Sequence, residues 1–378
     1  MEADTALDQV RSELKQRFVE RDEIVDGLLI ALLARQHVLL IGPPGSAKSM
    51  LARELCLRIG GEFFEWLLTK FTTPEEIFGP LDLAALEDGR YERLTDHKLP
   101  KAEIAFLDEV FKANSAILNS LLTILNERRF YQGTEAAEVP LRTLVAASNE
   151  LPEEEELGAL YDRFLLRFVV GYIDRDERFR DLLTLSDEPS GPVTAISSAQ
   201  LTELHARCDA VKIPKEIIAE LTVIRRALNA LGVVASDRRY RQSLAVLRAA
   251  AVLDGRDVVG HRDLVWLEHL LWSDPEEQIR VLEVLSELSA GLEEEARKLV
   301  RQAEEIESYA RRGWPDDVSR QRALLEAHAK LEDIHRRLGA LTEQAEDRGR
   351  DSSRLKADDD KVIAIQRELL ASEETWQS

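Results

Sequence analysis

Cysteine is nearly absent: Cys56 and Cys208 are the only two in 378 residues, and they stand far apart. No paired-cysteine spacing is available for zinc or a redox centre, so both thiols are expected to be buried. Long apolar runs are missing as well. Nothing approaches the roughly 18 uninterrupted apolar residues of a membrane-spanning helix, and the N-terminal segment lacks the basic and then apolar regions of a secretory signal. Both absences predict a cytoplasmic protein with no membrane span. Positive charge is in deficit, with 50 Lys and Arg against 71 Asp and Glu and a formal net charge of −21. A nonspecific grip on DNA or RNA phosphates would work against that field, so nucleic acid is a disfavoured partner unless a local basic patch supplies one. What remains is 44% apolar residues in a chain long enough for two or three domains with buried cores.

Hydrophobic spacing divides the chain. Residues from about 8 to 35 read as a helix pair, with Val19, Ile24, Leu28, Leu32 and Leu33 spaced to bury one face. His37–Ile41 is short, nearly all apolar, and runs into Gly42-Pro43-Pro44-Gly45, the pattern of a buried strand feeding a glycine-rich turn. Ala102–Leu107 and Leu141–Ala147 repeat the apolar run and alternate with helical segments such as Ser115–Asn126. Strands interleaved with helices predict an α/β fold with a parallel sheet covered on both faces. Between the first two strands, Phe78–Leu94 contains the turn pair Asp88-Gly89 and reads as an inserted hairpin or loop. A soft boundary at Ser186–Pro192 precedes a wholly helical pattern. One helix carries Ile217, Leu221, Ile224, Leu228 and Leu231 and stops at Gly232; another runs from near Asp237 to Gly255. Beyond Pro275, Leu285, Leu292, Leu299 and Ile306 form a heptad, Gly313-Trp314-Pro315 breaks it, and Leu324, Leu331, Leu338 and Ala345 form another. Two such segments predict an antiparallel, coiled-coil-like hairpin. A polar linker, Asp347–Ser353, then leads to a short third helix through Leu355, Val362 and Leu369.

Gly42-Pro43-Pro44-Gly45-Ser46-Ala47-Lys48-Ser49 fits G-x-x-x-x-G-K-[ST] at every fixed position but one, with Ala47 where glycine is usual. A single added methyl at the start of a helix is a small departure. In such a loop the backbone N–H groups and the helix dipole point at phosphate oxygens, the lysine reaches the β- and γ-phosphates, and the hydroxyl ligates Mg²⁺. Lys48 and Ser49 take those roles, which makes ATP and Mg²⁺ the expected ligands. Ile104–Glu109 delivers two carboxylates at the end of a buried strand, where open α/β sheets bind ligands. Asp108 is expected in the Mg²⁺ shell, and Glu109 to polarise the water that attacks the γ-phosphate. Alone, an Asp-Glu pair is more often a helix cap; coupled to the loop upstream, it points to hydrolysis. Asn149 ends the third strand, placed to orient the attacking water or simply to make a turn. Arg163 lies on a segment that can reach a neighbouring subunit's γ-phosphate, and Arg238 opens a helix that can fold back over the nucleotide. Arg128, Arg167 and Arg239 compete for these assignments.

The order of these motifs resembles the MoxR family of AAA+ ATPases, specifically its RavA-like branch, which shares the alanine at position 47. The resemblance is carried by Gly42–Ser49, Phe71–Leu81, Phe106–Glu109, Leu125–Arg128, Ala147–Pro152, Ala159–Arg163 and Ser236–Arg239, and covers about residues 10–272. It implies an AAA+ P-loop core over residues 1–185 and an all-helical lid over 186–274, with a charged helical hairpin over 275–378 as the part that departs from the branch. It further implies a hexameric ring, sensor 1 at Asn149, an arginine finger at Arg163 and sensor 2 at Arg238. The family-specific insert hairpin falls near Pro80–Leu94, facing the pore or one rim. Relatives commonly work with a von Willebrand factor A domain protein and act as chaperones that mature or assemble protein clients, sometimes inserting metal cofactors. The expected function is therefore an ATP-hydrolysing remodelling ring acting on a protein. Two alternatives stay open: an ATP-gated assembly scaffold with slow or partner-dependent turnover, and a nucleic-acid motor that shares the core.

Overall fold

The computed structural model describes residues 2–133, 135–152, 155–184, 193–314, 316–347 and 352–374, without the side chains of 155–156, 287–294, 317 and 370–374. The expected boundary at Ser186–Pro192, Pro315 of the heptad break, residues 348–351 of the linker and the Leu292 side chain lie outside the described residues. In chain order the elements begin α1 (Ala3–Arg17), α2 (Asp22–Ala34), β1 (Val38–Ile41), α3 (Lys48–Leu57), β2 (Phe63–Leu67), α4 (Pro74–Phe78) and α5 (Leu83–Glu87). They continue through β3 (Ile104–Asp108), α6 (Ser115–Glu127), β4 (Arg129–Gln132), β5 (Glu135–Glu138), β6 (Thr143–Ser148), α7 (Glu155–Tyr161), β7 (Leu166–Val169) and α8 (Asp176–Thr184). The remainder is helical: α9 (Ser198–Ala210), α10 (Lys215–Ala230), α11 (Asp237–Leu253), α12 (Pro275–Arg311), α13 (Asp317–Asp347) and α14 (Ser353–Glu374). By packing, the chain forms two compact units, Met1–Pro214 with Val234–Val259 and His269–Pro275, and Lys215–Val233 with Gly260–Glu268 and Glu276–Ser378.

The first unit is built on a parallel sheet of order β2-β3-β6-β1-β7. β1 and β6 are buried along their whole length, which is why they read as continuous apolar runs. The other two strands were not legible. β2 lies at the sheet edge and is only partly buried, and β7 carries Arg167, a charged residue that is 1% exposed. All five strands run the same way, so Gly42, Glu109, Asn149 and Val170 follow the carboxyl ends of β1, β3, β6 and β7 on one edge.

α2 was expected to bury one face, but every residue from Ile24 to Ala34 is buried. It is surrounded by α1, α9 and α11, so beyond its exposed first residues, Asp22 and Glu23, no side of it meets water. Pro80–Leu94 does double back: Leu81 and Arg93 bridge antiparallel, Asp82 N–H donates to Glu92 O at 2.9 Å, and Leu94 N–H donates to Pro80 O at 2.9 Å. A further hairpin, β4–β5, went unread because its strands are four residues each and β5 is wholly exposed.

In the second unit α10 buries Ile217, Leu221, Ile224 and Leu228 as the spacing requires, while Leu231 is exposed. The expected hairpin is part of a three-helix arrangement. Leu299 and Ala303 of α12 share one apolar cluster with Leu331 and Leu338 of α13 and Leu355, Val362 and Leu369 of α14. α14 is 22 residues long, and α13 packs against it more closely than against α12. Among the described residues no helix is long and apolar enough to cross a membrane.

Candidate nucleotide-hydrolysis site

β1 leaves the sheet at Gly42, whose backbone is pressed between two neighbours. Its N–H donates to Ser148 O at 3.0 Å, and a Cβ added there would stand 2.1 Å from Val170 O. Only glycine lets the chain turn so close to β7. Gly45 then adopts φ +80° with open space where a side chain would be. Ala47 is also left-handed, at φ 68° and ψ 16°, immediately before α3. The alanine therefore departs by more than a methyl group: it holds a backbone conformation that costs an L-residue about 1 kcal/mol and glycine almost nothing.

Lys48, the first residue of α3, is buried, and its Nζ donates to Gly42 O at 2.7 Å and to Pro43 O at 2.8 Å. Burial draws its ammonium below the usual range, opposed by the carboxylates of Asp108 and Glu109. The lysine thus shares a field with the acidic strand end. Ser46 Oγ closes the loop by donating to Pro43 O at 2.8 Å, and Ser49 follows in the first turn of α3.

Asp108 ends β3, and its Oδ1 accepts the Glu109 N–H at 2.9 Å. Glu109 sits at φ 52° and ψ 47°, so the chain turns sharply at the carboxylate. Non-glycine residues held in such strained conformations cluster at functional sites. Asn149 Nδ2 donates to Glu109 Oε1 at 2.6 Å, and Lys112 Nζ lies 3.3 Å from Oε2. Lys48, Asp108, Glu109 and Asn149 therefore meet at the ends of β1, β3 and β6.

The arginines sort by their partners. Arg167 is 1% exposed and donates to Phe164 O, Trp272 O and Tyr161 O; burial, then the nearby Arg239 charge, lowers its pKa to about 9. Arg239 is buried too and donates to Leu270 O and Leu165 O, each at 2.8 Å. Arg128 donates to Arg35 O and Arg142 O and contacts His37, with its pKa lowered to about 10 by burial. These three are structural cations. Arg163 and Arg238 differ. Burial, and then the Arg238 charge, lowers the Arg163 pKa, while Asp162 opposes. Arg238 is exposed and donates to Asn126 Oδ1 at 3.1 Å. It stands in the first turn of α11, the helix expected to fold back over the phosphate loop.

The donor set suits a magnesium nucleotide: an ammonium and a helix start for phosphate, a hydroxyl and a carboxylate for a hard cation, and a second carboxylate free of that duty. Fold and site together define a P-loop nucleotide-binding core. A family model described as the MoxR domain in the MoxR–vWA–β-propeller ternary systems matches residues 5–206, and one described as an AAA lid domain matches residues 216–285. An uncharacterized protein of Methanocaldococcus jannaschii is 43% identical over 284 residues, covering 75% of this chain and 74% of the relative. Chaperone MoxR1 of Mycobacterium tuberculosis is 27% identical over 276 residues, covering 67% of this chain and 71% of that protein. The crystal structure of a candidate ATPase from Cytophaga hutchinsonii matches with a TM-score of 0.60 at 19% identity, covering 75% of this chain and 94% of that one, a likeness of fold alone. The chain belongs to the MoxR family of AAA+ ATPases.

Proposed function

We propose that the protein hydrolyses ATP to ADP and phosphate and uses the cycle, as an oligomeric ring, to remodel a protein client. The observation that carries this reading is the meeting of Lys48, Asp108, Glu109 and Asn149 at three adjacent strand ends. Loop residues Gly42–Ser49 hold the phosphates, with Lys48 supplying positive charge to the β- and γ-oxygens. Ser49 and Asp108 would hold Mg²⁺, which when bound would supply charge compensation for the phosphate oxygens. Glu109 accepts the proton of the attacking water, and Asn149 fixes the carboxylate that does so.

Arg163 is the finger that completes the site of a neighbouring copy, and Arg238, as sensor 2, reaches the nucleotide from its own lid. Arg163 Nη1 lies 3.4 Å from Asp162 Oδ2, a carboxylate that Arg239 also approaches at 3.5 Å, so the arginines there outnumber the acid, a cation excess suited to the γ-phosphate of the next subunit. Such a contact is head-to-tail and closes into a ring, for which the family resemblance supports six subunits. We assign working parts to a core over 1–185, a lid over 186–274 and an extension over 275–378. This division differs from the packing units because α9 and α11 rest against α1 and α2. The matched family's description supports a von Willebrand factor A domain partner, the chaperone relative supports maturation or assembly of a protein client, and the absence of a membrane-crossing helix among the described residues is consistent with a cytoplasmic site of action.

The test is Mg-ATP binding and phosphate release by the purified full chain beside Lys48→Ala. Binding and release in the parent with both lost in the variant supports the assignment. Phosphate release that survives in Lys48→Ala sinks it.

A further inference from the structure

The sheet gives the bound nucleotide a direction. β1 lies between β6 and β7, and the groups assigned to hydrolysis, Asp108, Glu109 and Asn149, all stand on the β3–β6 side of the phosphate loop. The γ-phosphate end therefore faces that side. The α-phosphate, the ribose and the base must leave the loop toward β7.

The segment after β7 is built into the loop. Val170 N–H donates to Ile41 O at 2.7 Å, and Val170 O is the atom against which Gly42 packs. Two residues on, Tyr172 Oη donates to Pro44 O at 3.3 Å, at the crown of the phosphate loop. The residue is nonetheless 65% exposed. An aromatic face held beside a phosphate loop and left open to solvent offers a surface on which a purine can rest. Behind it the segment is pinned to the turn between α1 and α2. Arg21 donates to Gly171 O at 2.6 Å, and Asp174 N–H donates to Glu20 Oε2 at 3.0 Å. Arg21 also donates to Glu20 O at 2.9 Å, and Glu20 itself is held at φ 60°. The segment that carries the tyrosine is thus tied to the α1–α2 turn at two points.

We propose that Tyr172 is the nucleoside-contacting residue of the site, its ring forming the wall against which the adenosine of ATP lies, with Arg21 as the residue that positions it. This rests on the assignment of Gly42–Ser49 as the ATP-binding loop. Stacking on an aromatic face accepts any base, so Tyr172 supplies affinity for the nucleoside and little choice between adenine and guanine.

The test compares Mg-ATP with Mg-tripolyphosphate, which keeps the phosphates and lacks the nucleoside, by calorimetric titration of the full chain. Tyr172→Ala should weaken ATP and GTP binding by about 10- to 100-fold and leave tripolyphosphate affinity within about twofold. Tyr172→Phe should stay within about threefold of the parent for ATP, because the ring and not the hydroxyl carries the contact. In hydrolysis the loss should appear in KM, with kcat little changed at saturating ATP. Unchanged ATP affinity in Tyr172→Ala, or an equal loss for ATP and tripolyphosphate, overturns the proposal. Lys48→Ala separates the two ideas: it should abolish binding of both ligands, and if it does not, the phosphate-loop assignment fails rather than the tyrosine's role.

Discussion

Asn149 Nδ2 donates to Glu109 Oε1 across 2.6 Å, so one hydrogen bond joins the end of β6 to the residue that follows β3. Glu109 is held at a positive φ and tied by that amide, so its carboxylate has little freedom to turn away. Glu109→Gln should lower kcat by about 100-fold or more, the range ascribed to a positioned general base. Asn149→Ala should lower it by about 10- to 100-fold, since the carboxylate remains but is no longer aimed. Both should bind ATP within about threefold of the parent, a KM-like loss being the mark of uniform binding instead. Single-turnover hydrolysis with a separate binding titration checks this.

Arg163 and Arg167 lie four positions apart and should fail in opposite ways. Arg167→Ala removes three buried hydrogen bonds and opens a cavity, which should cost about 3–5 kcal/mol of stability. Arg239→Ala should behave alike, since it too serves buried carbonyls. Arg163→Ala, in a partly exposed group, should unfold within about 1 kcal/mol of the parent while losing hydrolysis. Denaturant unfolding beside a phosphate-release assay separates the two classes.

Ala47 carries a left-handed backbone that glycine would hold without strain. Ala47→Gly should stabilise the protein by about 0.5–1 kcal/mol, the relief of strain exceeding the entropy glycine adds to the unfolded chain. A denaturant midpoint that shifts upward with an unchanged slope is the expected result; a downward shift contradicts it.

His37 is fully buried, and desolvation, aided by the Arg128 charge, holds its pKa well below the usual histidine value. His205 is lowered by burial as well. Below about pH 6.5 the unfolded chain takes up protons at these sites that the folded chain refuses, so stability is full above that pH and falls as pH drops through it. Each site should contribute a slope of up to about 1.4 kcal/mol per pH unit. His37→Gln should flatten the dependence between about pH 6.5 and 5.5, even if the variant is less stable throughout. Urea unfolding across that range measures both slopes.

Much of the site was legible because its parts are local. A phosphate loop is eight consecutive residues, and the acidic pair sits on a buried strand whose apolar run announces it. What stayed hidden depends on distant neighbours. Arg167 reads as a surface charge until Trp272 and Tyr161 close over it. β5, Glu135–Glu138, has no apolar pattern at all and is a strand only because β4 pairs with it. The angle at Ala47 is likewise invisible in its side chain, since it is a property of the backbone as the chain enters α3. Arg238 follows the same rule: its helix was legible, but the Asn126 side-chain carbonyl it donates to lies far away in sequence.

If one copy's Glu109 works with another copy's Arg163, two variants that are each dead alone should restore hydrolysis when mixed. Arg163→Ala subunits keep their own loop and base but offer no finger, and Glu109→Gln subunits keep the finger. Mixed in equal amounts after each is shown to assemble, roughly a quarter of head-to-tail interfaces pair an intact base with an intact arginine. ATP hydrolysis should therefore reappear at about a quarter of the parent rate. A mixture no more active than its two components would show that the arginine does not act between subunits.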